Sequence, residues 1–334
     1  MINRFWLISL LLLLALSSRA NAIDPILRKA IKQKVTGDFT SAIVLTDANL
    51  ISLGVVDFNP NAIVDLDDLG NVNAGDDDSL KRRSQLKSYT VPWESDEMDL
   101  TDDWQGAYAV RFSYVHAKDH IKGINDETIS SPLEDTSYLF ASEFKWKYQI
   151  SDNWKVVLGA GGQLIWQDNS LIYNDPVLRQ VKPLFDDALV NTSLGAIMID
   201  PNAEFTYTSE LFGHKWEYIS TLRFAIGRTV MTDNGAQSVS PQVGRWSNAF
   251  LFHYELPSVW DKANEVRFLV KRVDLTGDVI QSIGTDNYYE FGAGWVIETS
   301  SLVSWLSSIG LGITININSG LSGGGIVLLL NEPL

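Results

Sequence analysis

Residues 138–150 read Tyr138-Leu139-Phe140-Ala141-Ser142-Glu143-Phe144-Lys145-Trp146-Lys147-Tyr148-Gln149-Ile150. Phe140, Phe144, Trp146, Tyr148 and Ile150 fall on one side of a two-residue repeat, and Ala141, Glu143, Lys145, Lys147 and Gln149 on the other. Successive side chains of an extended chain point to opposite faces, so this is a strand with an aromatic face and a charged face. Ser151-Asp152-Asn153 then makes a short turn. Beyond it Trp154, Val156, Leu158, Ala160, Leu164 and Trp166 continue on one side against Lys155, Gly159, Gly161, Gln163 and Gln167. The pair reads as a hairpin of long strands.

The same period spreads outward from this hairpin. Upstream, Tyr108, Val110, Phe112 and Tyr114 alternate with Ala109, Arg111 and Ser113. Downstream come Phe205 and Tyr207; Trp216, Tyr218, Leu222, Phe224 and Ile226; Trp246, Phe250, Phe252 and Tyr254; Val266, Phe268 and Val270; and Tyr289, Phe291, Trp295 and Ile297. The last pair is Ile309 to Ile317 and the glycine-rich Gly323 to Asn331. After the first two dozen residues there is no apolar run of 18, which excludes helical membrane spans. A soluble sandwich also alternates, but its strands average about five or six residues and carry their large aromatics mid-strand. Here Trp104, Trp154, Trp166, Trp216, Trp246 and Tyr254 mark the ends of alternations of about ten residues, as interfacial girdles do. The fold class is all-β: an antiparallel transmembrane β-barrel, closed because an open sheet edge would leave unpaired backbone groups in hydrocarbon.

Export is written at the N-terminus. Arg4 precedes an apolar run, Phe5 to Leu16, too short to cross a bilayer, and Ala20-Asn21-Ala22 presents small residues for a signal peptidase. Residues 1–22 are therefore read as a signal peptide cut after Ala22, with Ala20 and Ala22 as the cleavage-site residues and the cell outer membrane as the destination. Loss of Arg4 and Arg19 leaves 24 basic against 41 acidic residues, a net charge of −17. Such a surface repels nucleic acid. Without cysteine there is no disulfide framework, lipobox, thiol nucleophile or thiolate metal site.

Eleven strands are read between 104 and 331: 104–118, 137–150, 153–167, 191–200, 203–211, 216–230, 246–256, 264–275, 286–299, 309–318 and 323–331. Bacterial barrels use even numbers, and the stretch Phe39 to Val56, with a weak alternation of Phe39, Ser41, Ile43 and Leu45, supplies a twelfth. The best count is about twelve, within a range of ten to fourteen. This reading carries a conflict. If the last strand ends in the periplasm, the turns at Ser151-Asn153 and Pro201-Asn202 fall outside and the long 168–190 connection inside, the reverse of the usual arrangement.

The chain before the regular strands differs in kind. Residues 23–38 form a short basic helix, started by Asp24-Pro25, with Ile26, Leu27, Ala30 and Ile31 opposite Arg28, Lys29, Lys32 and Lys34; it reads as a pore plug or a solvated tail. Residues 39–103 hold the weak strand and an acidic segment, 57–103, with 13 acidic and 4 basic residues. Its aspartates lack the ordered spacing of an EF-hand loop, and a solvated loop is expected there. The barrel itself occupies 104–334.

On the strand pattern, the basic helix ahead of it and hairpins such as Glu143-Phe144-Lys145-Trp146 to Trp154-Lys155, the region from Trp104 onward resembles the solitary autotransporter-like outer-membrane β-barrels, relatives of autotransporter translocator domains. The resemblance implies a twelve-stranded barrel with a helix in its pore, inserted by the barrel-assembly machinery and in contact with outer-membrane lipid. About eighty residues separate Ile23 from Trp104, and they lack the Gly-, Asn- and Thr-rich repeats of a β-helix passenger. The C-terminus departs from the pattern of such barrels, ending Leu330-Asn331-Glu332-Pro333-Leu334 rather than on an aromatic.

The side of each strand opposite the aromatics predicts a charged lumen: Arg111, Glu143, Lys145, Lys147, Lys155, Glu204, Glu217, Arg223, Glu255, Arg267, Lys271, Glu290 and Glu298. Ion pairs, loops or the helix would narrow a bore of this size. Of His116, His120, His214 and His253, only the last lies mid-strand facing inward, and no Gly-x-Ser-x-Gly elbow or His-Glu-x-x-His helix is present. No catalytic residue, metal or cofactor is expected. The sequence supports a non-enzymatic, translocator-like occluded barrel, with a narrow or porin-like channel as the alternative and a lipid-modifying outer-membrane enzyme as the third reading.

Overall fold

The computed structural model describes residues 25–47, 56–58, 60, 77–299 and 306–330. The helices are α1 (Pro25–Thr46), α2 (Asp77–Ser84), α3 (Pro176–Phe185) and α4 (Ile280–Ile283). The strands are β1 (Val56–Phe58), β2 (Leu86–Glu94), β3 (Met98–Asp99), β4 (Trp104–Lys122), β5 (Ser130–Gln149), β6 (Trp154–Leu171), β7 (Ser193–Ile199), β8 (Asn202–Leu211), β9 (His214–Val230), β10 (Gln242–Glu255), β11 (Asn264–Gly277), β12 (Asn287–Glu298), β13 (Ser308–Ile317) and β14 (Gly323–Leu330). No described helix is long and apolar enough to cross a membrane.

All the described strands belong to one antiparallel sheet, whose order runs β1, β14 back to β9, β7, β6, β5, β4 and β2. β7 and β8 both pair with β6 on one side and β9 on the other. Their registers are continuous: Ile199 faces Gly162 and Asn202 faces Gly159 on β6, while the same residues face Ile226 and Arg223 on β9. They are one strand, 193–211, and Pro201, which has no N–H, interrupts only its hydrogen bonding. The described strands thus fill twelve positions in the sheet.

This corrects the strand assignment in three places. Pro201-Asn202 is not a turn, so 191–200 and 203–211 merge. β2, at 86–94, lies within the segment expected to be an acidic loop. The weak strand at Phe39 to Leu45 is helical, because α1 continues through it to Thr46. Even numbering returns, and the conflict over loop lengths dissolves. The short turns 150–153 and 212–213 lie at the same end as the finish of β14, and the two longest connections after β4, 172–192 and 231–241, at the other. The seam between the first and last strands is tied by α2, whose Arg83 Nε donates to Asp57 of β1 at 2.7 Å and whose Nη1 donates to the Leu321 carbonyl at 3.3 Å.

Outward-facing Phe112, Phe140, Leu164, Ile199, Leu222 and Leu311 are exposed, forming an apolar band. Rings edge it at both ends. Trp154, Tyr207, Trp216 and Phe250 follow one another at centroid distances of 4.8, 5.4 and 5.1 Å on the short-turn side. Tyr89, Tyr114 and Tyr138 follow at 6.4 and 5.5 Å toward the other end.

Inside, α1 packs against β2, β4, β5, β10 and α4. Leu27, Ile31, Val35, Phe39 and Ile43 are spaced four apart and all are buried, a single helical stripe. In the first half the remaining faces are largely exposed, with Arg28, Lys29 and Lys32 in solvent. In the second half Thr40, Ala42, Val44 and Thr46 are buried as well, so the helix is enclosed progressively as it enters the lumen. Phe39 is fully buried in a cluster that includes Leu139, Val243 and Tyr288 of the wall. Truncating it in Phe39→Ala should cost about 3–5 kcal/mol of helix docking. The unboiled, fast-migrating barrel band should persist on a gel while limited proteolysis now removes α1; unchanged protease resistance would show that α1 is held by other means.

Candidate functional site in the barrel lumen

α1 ends at Asp47, whose side chain is almost wholly buried among three arginines of the wall. Asp47 Oδ2 accepts from Arg245 Nη1 of β10 at 2.8 Å. Arg223 of β9 and Arg111 of β4 bring their guanidinium nitrogens to 3.8 Å. Asp200, between β7 and β8, bonds Arg245 and accepts from Arg223 Nη2 at 2.9 Å and from Gln163 Nε2 at 2.6 Å. Glu143 of β5 takes Arg223 Nη2 at 3.0 Å and Asn202 Nδ2 at 2.9 Å. Three guanidiniums thus meet three carboxylates drawn from five separate segments of the wall and from the helix end.

The last carbonyls of a helix lack intrahelical donors and carry the negative end of its dipole. Wall hydroxyls meet them here: Ser88 Oγ donates to the Leu45 carbonyl at 2.9 Å and Thr90 Oγ1 to the Thr46 carbonyl at 3.3 Å. The arginines therefore complement both the Asp47 carboxylate and the helix terminus behind it. Three guanidiniums carry more N–H groups than these carboxylates absorb: Arg111 Nε and Nη2 and Arg245 Nε are buried without a protein acceptor.

Three further charged groupings line the wall. His253 Nδ1 lies 2.9 Å from Glu265 and its Nε2 3.3 Å from Glu217; Arg267 also bonds Glu265, and Lys215 reaches Glu217 at 3.1 Å. Both imidazole nitrogens are thus engaged by carboxylates, leaving neither ring nitrogen facing a nucleophile. Lys271 and Glu290 pair at 2.9 Å, nearly inaccessible to solvent. Near the short-turn end Glu94 of β2 holds Lys145 and Lys147, each at 2.6 Å, and Lys147 also reaches Glu97 at 2.7 Å. No group of three or more metal-ligating side chains occurs among the described residues. On the long-connection side, burial and then a 2.9 Å bond to Asp186 push the Tyr173 phenol well above its usual range, keeping it neutral.

Of the residues predicted to face the lumen, Arg111, Glu143 and Arg223 come together at Asp47, with Lys145 linked to Glu143 at 3.7 Å. Glu217 and Arg267 join the His253 cluster, Glu290 pairs with Lys271, and Lys147 sits with Glu94. Lys155 and Glu255 lie beside the connections 150–153 and 256–263 and enter none of these clusters. Ala20 and Ala22 fall outside the described residues. Asp47, Asp200 and Arg245 were not predicted. Arg245 was within reach, since the alternation of Ser247 and Ala249 extends inward to it by one step.

An antiparallel barrel with an apolar, ring-edged outer face and a helix in its charged lumen is an outer-membrane barrel. The chain belongs to the solitary outer membrane autotransporter beta-barrel domain family, whose model matches residues 36–332, and that membership places it in the outer membrane. Among solved structures it is similar to the transport unit of the autotransporter AIDA-I from Escherichia coli, with 9% identity, 74% of this chain and 83% of that one covered, and a TM-score of 0.47. It is also similar to LpxR from Salmonella typhimurium, with 10% identity, 80% and 91% covered, and a TM-score of 0.38. No curated protein sequence matches it.

Removing one member of a buried ion pair takes from the other its countercharge, whereas replacing both is far cheaper. Lys271→Met should therefore lower stability by about 3–5 kcal/mol, and Lys271→Met with Glu290→Leu should recover most of the loss. Guanidinium unfolding in detergent measures both; additive losses would show that the pair is not coupled.

Proposed function

We propose that the protein is a non-enzymatic, translocator-type barrel held shut by α1. The observation that carries this reading is the grip on Asp47, in which arginines from β4, β9 and β10 converge on the helix end. A helix fixed at its tip inside the lumen, and enclosed by apolar wall along its second half, occupies the path an open channel would use. A lipid-modifying enzyme finds no support in His253, both of whose nitrogens face carboxylates. The expected partners are outer-membrane lipid and the barrel-assembly machinery, and no nucleic acid.

Conductance in planar bilayers tests closure. The intact protein should be silent, removal of residues 25–46 should give steady openings, and Asp47→Asn should give intermittent ones. A heat-modifiable gel band checks that each variant is folded. Steady conductance in the intact, folded protein would replace this reading with the narrow channel.

Sidedness follows from the usual pairing of short periplasmic turns with long outer connections. The end of β14 and the 150–153 turn then face the periplasm, and 231–241 faces outward. The natural chain has no cysteine, so a single substitution gives a unique label. In a mature protein starting at Ile23, Gly235→Cys, where a Cβ has open space, should react with an impermeant maleimide on intact cells. Asp152→Cys should react only after permeabilisation; the opposite labelling would invert the topology.

A further inference from the structure

A cavity of about 490 Å³ lies beside α1, between the helix and the β4–β6 wall, and reaches the exposed connection at 123–127. Its volume falls within the roughly 300–1,000 Å³ typical of small-molecule sites. Much of its wall is apolar, with Leu45, Leu86, Val115 and Leu133 contributing. Along one edge Lys34 donates to Asp38 and lies 3.5 Å from Asp135. The ammonium is nearly buried, while the two carboxylates retain 32% and 39% side-chain exposure. Ser41 also lines the cavity, and its Oγ is buried without a protein partner.

The charge on this lining is unbalanced. Asp38, Asp119, Glu127, Asp135 and Asp168 stand against Lys34, Lys118 and Lys122. Lys118 is already paired with Glu134 at 2.7 Å, and Lys122 with Glu127 at 3.0 Å. At the inner edge two carboxylates share one ammonium, so a second cation is favoured there and an anion opposed. An apolar chamber with convergent polar groups of one sign selects a ligand with an apolar body and a charge of the other sign.

We infer that this cavity binds an amphipathic organic cation, its apolar body between α1 and the wall and its cationic nitrogen at Asp38 and Asp135. Such a ligand enters from the long-connection end and leaves the Asp47 grip untouched, so the site is independent of whether the barrel conducts.

Calorimetry on the full-length protein in zwitterionic-lipid nanodiscs, with empty nanodiscs subtracted, tests this using decylammonium, decanol and decanoate. Decylammonium should bind at one per barrel and at least tenfold more tightly than decanoate. Asp135→Asn, which keeps a hydrogen-bonding group while removing the charge, should weaken decylammonium about tenfold and leave decanol unchanged. Ala42→Trp, which fills the chamber, should abolish binding while the heat-modifiable band persists. Absence of saturable binding, equal binding of decylammonium and decanoate, or an Asp135→Asn variant that binds decylammonium normally would each overturn the proposal. Should Ala42→Trp fail to fold, the charge comparison and Asp135→Asn still decide it. Wild-type conductance reports separately on closure.

Discussion

A peptide group left unpaired in hydrocarbon costs several kcal/mol, and every other feature of this barrel is arranged around that cost. Ladders run without a break in register from β2 through β4, β5 and β6, across the joined β7–β8 strand, and on to β14. Even Pro201, unable to donate, is accommodated locally: the Asp200 N–H still reaches the Gly161 carbonyl at 3.0 Å, and the Pro201 carbonyl still accepts from Phe224 at 3.1 Å. The one lost donor is cheaper than a true turn, which would have unpaired several groups at membrane depth.

That same continuity explains which parts of the sequence could be read. Long antiparallel strands with one lipid-facing side repeat strictly every two residues, so the period is legible from Trp104 onward. Proline followed by asparagine is a strong local turn signal, and it outweighed a register that only the two neighbouring strands reveal. In Phe39 to Leu45 nearly every residue is apolar or small, because the second half of α1 is buried on almost all sides. A helix enclosed all round has no polar face, and over so short a span its pattern cannot be told from a strand. β2 was hidden for the opposite reason: it opens in a region dominated by acidic loop chemistry, and Pro92 demotes it further.

The charged interior was legible as a face but not as a site. Alternation assigns Arg111, Glu143 and Arg223 to the lumen, yet says nothing about which of them meet across it. Their meeting depends on Asp47, placed by the helix rather than by any strand, and on Asp200, which becomes lumenal only once Pro201 is seen to lie within a strand. A strand at 39–45 hides Asp47 and a turn at 201–202 hides Asp200, and without these two acids there is no reason for three arginines to gather at one level.

Desolvation explains why the gathering takes this form. A single arginine buried in the lumen would lose hydration worth several kcal/mol, and one carboxylate would return only part of it. Sharing Asp47 and Asp200 among Arg245 and Arg223, with Glu143 at the outer edge, lets each ion satisfy more than one partner and each hydrogen bond be charge-assisted. Such a cluster is balanced only while the helix tip is present: withdraw Asp47, and three guanidiniums face two carboxylates. The wall therefore carries a surplus of positive charge that the end of α1 neutralises, so the position of the helix follows from the wall's own electrostatics as well as from its apolar stripe.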